Sequence, residues 1–95
     1  MARFVLTCID KPEALDLRMA TREAHLAYVR EHEEMIPAAG PLLDVEGRMN
    51  GSFFIIEAPD AEAVEAFSAA DPYRLAGLFE NVEIRAWRQS VGKPI

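Results

Sequence analysis

The sequence predicts a small α+β domain in which one antiparallel sheet carries its helices on a single face. Three observations lead there. Runs rich in β-branched and aromatic residues recur along the chain, a long stretch without glycine separates the first run from the next, and the junctions carry turn or cap residues. With 95 residues, 51% of them apolar, the chain supports one core and a single domain over residues 1–95.

The first run, Arg3 to Ile9, has apolar side chains on both faces and ends at Asp10-Lys11-Pro12, as a central strand closed by a turn would. From Glu13 to Ala38 a helix is expected, with Leu15, Met19, Leu26, Val29 and Ile36 on one apolar arc and Pro37 and Gly40-Pro41 as its stop. Leu42 to Glu46 and Ser52 to Glu57 then read as two strands around Asn50-Gly51, the favoured pair for a two-residue hairpin. Gly47 offers a bulge or a longer loop as the alternative. Asp60 is the expected N-cap of a second helix with Val64 and Phe67 inside. Asp71-Pro72 repeats that start signal for a short helical turn closed by Gly77. Val82 to Arg88 alternates as the last strand. The order β-α-β-β-α-β is the split βαβ, or ferredoxin-like, arrangement.

Such a sheet leaves its second face open. Phe4 or Val5, Phe53 or Phe54, and Ile84 or Trp87 would make that face apolar. A domain this short is also marginal at burying enough surface alone, so a homodimer joined through the open sheet face is expected. The net charge of -6, with Lys and Arg outnumbered ten to sixteen by Asp and Glu, argues against a nucleic-acid partner. No apolar stretch approaches membrane-spanning length, and the N-terminal one lacks a cleavage site. Cys8 is the one cysteine, as suits a reducing compartment, and the expected location is the cytoplasm.

Arg18, Arg22 and His25 share one helical stripe that overlaps the apolar arc. Polar groups leaning inward need partners, and nearby carboxylates such as Asp71 or Glu57 could supply them. In the structural reading the cluster only ties the helix to the core. In the functional reading Asp71 orients His25, whose second ring nitrogen serves as general base. Spacing leaves both open. Ser52 beside the Asn-Gly turn is a candidate hydrogen-bonding group or a simple turn residue. His32 is too far from His25 to share a metal with it, and Cys8 reads as core filler. There is no phosphate-binding Gly-rich loop, no Cys-x-x-Cys and no His-Glu-x-x-His, so neither a metal nor another cofactor is predicted.

Several separated segments together resemble the YciI-like family. They are Asp10-Lys11 with Leu15 and Arg18, Arg22-Glu23-Ala24-His25-Leu26, Ala39-Gly40-Pro41, Gly51-Ser52, Ala70-Asp71-Pro72-Tyr73, Ala76-Gly77 and Trp87. The resemblance spans about Phe4 to Arg88 and implies a ferredoxin-like subunit of the dimeric α+β barrel superfamily. It also implies a pocket centred on His25 and Asp71, with Arg18, Arg22, Ser52 and Gly40-Pro41 close by. Related folds include muconolactone-isomerase-like enzymes and aromatic-compound lyases, an analogy that names no substrate. Two functions follow as expectations. One is isomerisation or elimination on a small cyclic or aromatic anion, with His25 as acid/base, Asp71 as its orienter, and Arg18 or Arg22 as the anion clamp. The other is a non-catalytic dimeric binding or interaction module whose His, Asp and Arg cluster is structural.

Overall fold

The computed structural model describes residues 1–95. In chain order the elements are β1 (Ala2–Asp10), α1 (Leu15–Glu31), β2 (Ala38–Leu43), β3 (Met49–Ala58), α2 (Ala61–Ala69), α3 (Pro72–Leu75) and β4 (Phe79–Trp87), with a 3-10 turn at Glu33–Met35. The sheet order is β2-β3-β1-β4 and every pair is antiparallel, which is the ferredoxin-like arrangement. No helix is long and apolar enough to cross a membrane.

Alternation along the strands decides what each face carries. Phe4, Leu6 and Cys8 of β1 join Phe54, Ile56 and Ala58 of β3 in the core, and Val64 and Phe67 of α2 with Tyr28 and Val29 of α1 cover them. The opposite face has no covering element. There Val5 pairs with Ile55 and Arg85, Thr7 with Phe53 and Glu83, and Arg3 with Glu57 and Trp87. Of the alternatives in the sequence, Val5, Phe53 and Trp87 therefore face outward, while Phe4, Phe54 and Ile84 pack inward.

Three local expectations are corrected. The helix ends at Glu31 rather than near Ala38, because His32 Nδ1 donates to the Tyr28 carbonyl at 2.8 Å and Ile36, just before Pro37, is extended. Gly40-Pro41 consequently lies inside β2 and is no helix stop. As β2 is an edge strand, proline's missing N–H is tolerated there. Asn50-Gly51 is not the hairpin turn either, since both residues lie in β3. The turn is Asp44 to Arg48: Gly47 has φ +83°, and the Asp44 carboxylate accepts from the backbone N–H groups of Glu46 and Arg48.

The apolar arc of α1 is also corrected. Met19 is 50% exposed, Ile36 lies beyond the helix, and the residues that α1 buries are Arg18 and His25. By contrast, the caps match the sequence signals. Asp60 accepts from the Ala63 N–H, and Asp71 accepts from the Tyr73 N–H ahead of the helix that Pro72 opens.

Gly51 is required by packing rather than by a turn. A Cβ there would lie 2.7 Å from the Cys8 carbonyl oxygen, on the neighbouring strand β1. Gly51→Ala should therefore cost roughly 1–3 kcal/mol through overpacking. Gly40→Ala meets nothing within 4 Å and should leave stability nearly unchanged. Urea denaturation of the two variants checks this, and equal midpoints would refute it.

Candidate functional site

The site begins with the two polar side chains that α1 turns inward. Arg18, 2% exposed, grips Asp10 with two hydrogen bonds, Nε to Oδ2 at 2.7 Å and a terminal nitrogen to Oδ1 at 2.9 Å. The same terminal nitrogen donates to Ser52 Oγ at 2.9 Å. Asp10 is the last residue of β1, just past a register shift at Ile9 and Asp10. Burial opposes the guanidinium's charge, but the hydrogen bonds and charge of Asp10 exceed it and raise the Arg18 pKa. Arg18 is thus a neutralised, closed pair. Glu57, the other carboxylate nominated from the sequence, pairs with Arg3 at 3.0 Å instead.

Two turns further along α1, His25 Nδ1 lies 2.8 Å from Asp71 Oδ1, and that oxygen also accepts from the Tyr73 backbone N–H at 2.9 Å. A carboxylate only accepts, so Nδ1 carries a proton, and in the neutral ring the lone pair belongs to Nε2. No buried side-chain nitrogen or oxygen lacks a partner, and Nε2 has none, so Nε2 is open to the cleft that His25 lines. The Tyr73 ring stacks on the imidazole with centroids 3.9 Å apart and planes 17° from parallel, while Phe54 meets it edge-on at 6.2 Å. Burial pushes the Tyr73 phenol above its ordinary range against the opposing charges of Arg18 and Arg22, so it stays protonated at neutral pH.

The cleft lies between α1 and the β2–β3 edge and has a volume of about 130 Å³. An apolar cavity of ~150 Å³ holds one benzene ring, so this space suits a single ring. Arg18, Arg22, His25, Gly40, Pro41 and Ser52 all line it, whereas Asp71 stands behind His25. Six of the seven residues that the sequence singles out thus converge on one cleft, and the seventh, Asp71, is hydrogen-bonded to His25. Arg22 is exposed and joins none of the ion pairs, which makes it the free cation of the cleft. Ser52 Oγ accepts from Arg18, and its own hydroxyl proton has no protein acceptor.

Asp10 and Tyr73 complete the site, although the sequence marked neither as functional. In the sequence Asp10 reads as part of the turn Asp10-Lys11-Pro12, and Tyr73 reads as one residue of a matching segment. Cys8 is buried, and burial first, with the Asp71 charge second, pushes its thiol up to about 12. It is therefore protonated at neutral pH. His32 packs against Tyr28 and Phe67 away from the cleft. No three His, Cys, Asp or Glu side chains converge as ligands for a metal.

The model of the YCII-related domain matches residues 2–88. Protein YciI of Escherichia coli O6:H1 is 32% identical over 94 residues, covering 90% of this chain and 96% of that protein. An uncharacterised protein of Haemophilus influenzae is 29% identical over the same shares. Among solved structures, 5-chloro-2-hydroxyhydroquinone dehydrochlorinase from Burkholderia phenoliruptrix, in complex with 2,5-dihydroxybenzoquinone, superposes with a TM-score of 0.88 and 32% identity over 93% of this chain and 95% of that one. An antibiotic biosynthesis monooxygenase, 18% identical with a TM-score of 0.57 over 96% of this chain and 100% of that one, shares the fold alone. With the family model matched over residues 2–88 and a relative 32% identical over 90% of the chain, this chain belongs to the YCII-related family.

Proposed function

We propose that this protein is a small-molecule enzyme that binds a single-ring aromatic or quinoid anion and moves protons on it, leading to elimination or isomerisation. One observation carries the reading: His25 is held at Nδ1 by Asp71 and offers an unpartnered Nε2 to a cleft of one-ring size. Arg22 is the anion clamp. Arg18, already committed to Asp10, is not. Ser52 supplies a hydroxyl donor to a ring oxygen. The similarity to a dehydrochlorinase crystallised with a benzoquinone supports both the ligand class and elimination.

For a hydroquinone with a leaving group beside one hydroxyl, the steps balance. Nε2 takes the hydroxyl proton and returns it to the carbon bearing the leaving group, which makes that carbon tetrahedral and its neighbour a carbonyl. Loss of the proton from the hydroxyl para to that carbonyl then expels the leaving group as an anion. The net change is loss of one acid molecule and formation of a quinone. If the last step is omitted, the outcome is an isomerisation.

The alternative, a non-catalytic binding module, fits Arg18, Asp10 and Ser52 as a structural cluster and gives Arg22 a ligand to hold, but it has no need of a general base at His25 Nε2. With 5-chloro-2-hydroxyhydroquinone as probe, His25→Gln, whose amide can still donate to Asp71, should slow chloride release by ~10²–10⁴-fold in a protein that remains folded. Arg22→Gln should mainly raise KM. Undiminished release by His25→Gln would exclude the mechanism. A wild-type protein that binds 2,5-dihydroxybenzoquinone yet turns nothing over would favour the binding module.

We further propose that two copies meet through the open sheet face. Val5, Phe53 and Trp87 are only half-buried there and Ile55 is already covered, while Arg3–Glu57 and Arg85–Glu83 ion pairs flank them. Sedimentation should give a dimer for the wild type and a monomer for Phe53→Glu. A monomeric wild type at micromolar concentration would contradict this.

A further inference from the structure

We infer that Tyr73 is a positioning residue that fixes both members of the His25–Asp71 pair, and that the Asp10–Arg18 pair acts on His25 through it. The inference rests on His25 being the proton-transfer group. Tyr73 touches the pair twice: its backbone N–H donates to Asp71 Oδ1 at 2.9 Å, and its ring stacks on His25 at 3.9 Å. Arg18 Cζ also lies over that ring, 4.5 Å from its centroid. An imidazole only 17° from parallel covers one face of the phenol ring, which leaves Arg18 the other. Arg18 and His25 are seven residues apart on α1, ~10.5 Å along its axis, room enough for one ring between them. The phenol ring is thus sandwiched between guanidinium and imidazole.

The sandwich supplies what the hydrogen bond at Nδ1 does not. That bond fixes the position of one nitrogen, but the tilt of the ring about it stays soft. Stacking removes the tilt, because the imidazole cannot rotate without losing the face of Tyr73. Tyr73 cannot retreat, because Arg18 behind it is tied by two bonds to Asp10 and one to Ser52. The Asp71-Pro72-Tyr73 turn therefore delivers the carboxylate and the stacking ring as one unit, with proline at the first helical position restricting its backbone.

NMR of the histidine ring together with steady-state kinetics tests this. In the wild type, cross-relaxation should connect the Tyr73 ring both to the His25 ring and to the Arg18 side chain, and neutral His25 should be a single Nδ1–H tautomer. Tyr73→Leu should leave the proton on Nδ1, where Asp71 holds it, but free the ring's tilt, which broadens the His25 ring signals and lowers kcat by about 10-fold to 10²-fold with little change in KM. Tyr73→Phe, which keeps the ring, should restore the sharp signals and kcat. His25 ring signals as sharp in Tyr73→Leu as in the wild type would overturn the proposal. So would a wild type without Arg18–Tyr73 contacts, whether or not the leucine variant folds. These spectra need no turnover, so an inactive wild type with the predicted tautomer and contacts would refute the proton-transfer reading and leave the positioning role standing.

Discussion

The structure depends on a constraint set by α1, whose buried side chains are Arg18 and His25 rather than apolar residues. A buried charge left uncompensated costs about 3–5 kcal/mol, and a buried ring nitrogen left without a hydrogen bond costs about 1–3 kcal/mol. Each is met by one carboxylate from a different part of the chain. Asp10 comes from the end of β1, where the register against β4 shifts, and Asp71 comes from the cap between α2 and α3. These two pairings fix how α1 lies on the sheet at the cleft. A well-packed apolar pair is often as stable as a buried ion pair, so stability alone does not account for polar residues here.

The two pairs also differ in completeness. The Arg18 guanidinium is bound by Asp10 and Ser52 and covered by Tyr73, and so is spent. His25 is half satisfied, bound on one nitrogen and open on the other. A cluster built for structure alone would be closed on both sides. The unpaired Arg22 at the rim adds a charge that the fold does not need, and the cleft volume of about 130 Å³ limits what fits beside it. That asymmetry is what turns a polar core into a candidate catalytic site.

Much of this was legible in the sequence. The element order follows from periodicity and caps, whereas the pairing of Asp71 with His25 is implied only by the family resemblance, since the cap signal at Asp71-Pro72 leaves it open. What was not legible came from local signals with two meanings. Asn50-Gly51 looks like a hairpin, yet its glycine is demanded by the Cys8 carbonyl of another strand, a contact that no local pattern encodes. Gly40-Pro41 looks like a helix stop, yet it forms part of an edge strand whose backbone lines the cleft. Asp10 looks like a turn residue because the strand it ends is one residue longer than the apolar run, which hid the partner of Arg18. Tyr73 could be found only through stacking across the fold.

The central claim is that a single-ring anion sits against His25 Nε2 and Arg22. Titration of ¹⁵N-labelled protein with 2,5-dihydroxybenzoquinone, following the side-chain nitrogens of both residues, tests it most directly. The account predicts saturable shifts at His25 Nε2 and at the Arg22 guanidinium, with Nδ1 keeping its proton on Asp71. No change at His25, or shifts confined to the Trp87 indole on the open sheet face, would contradict it.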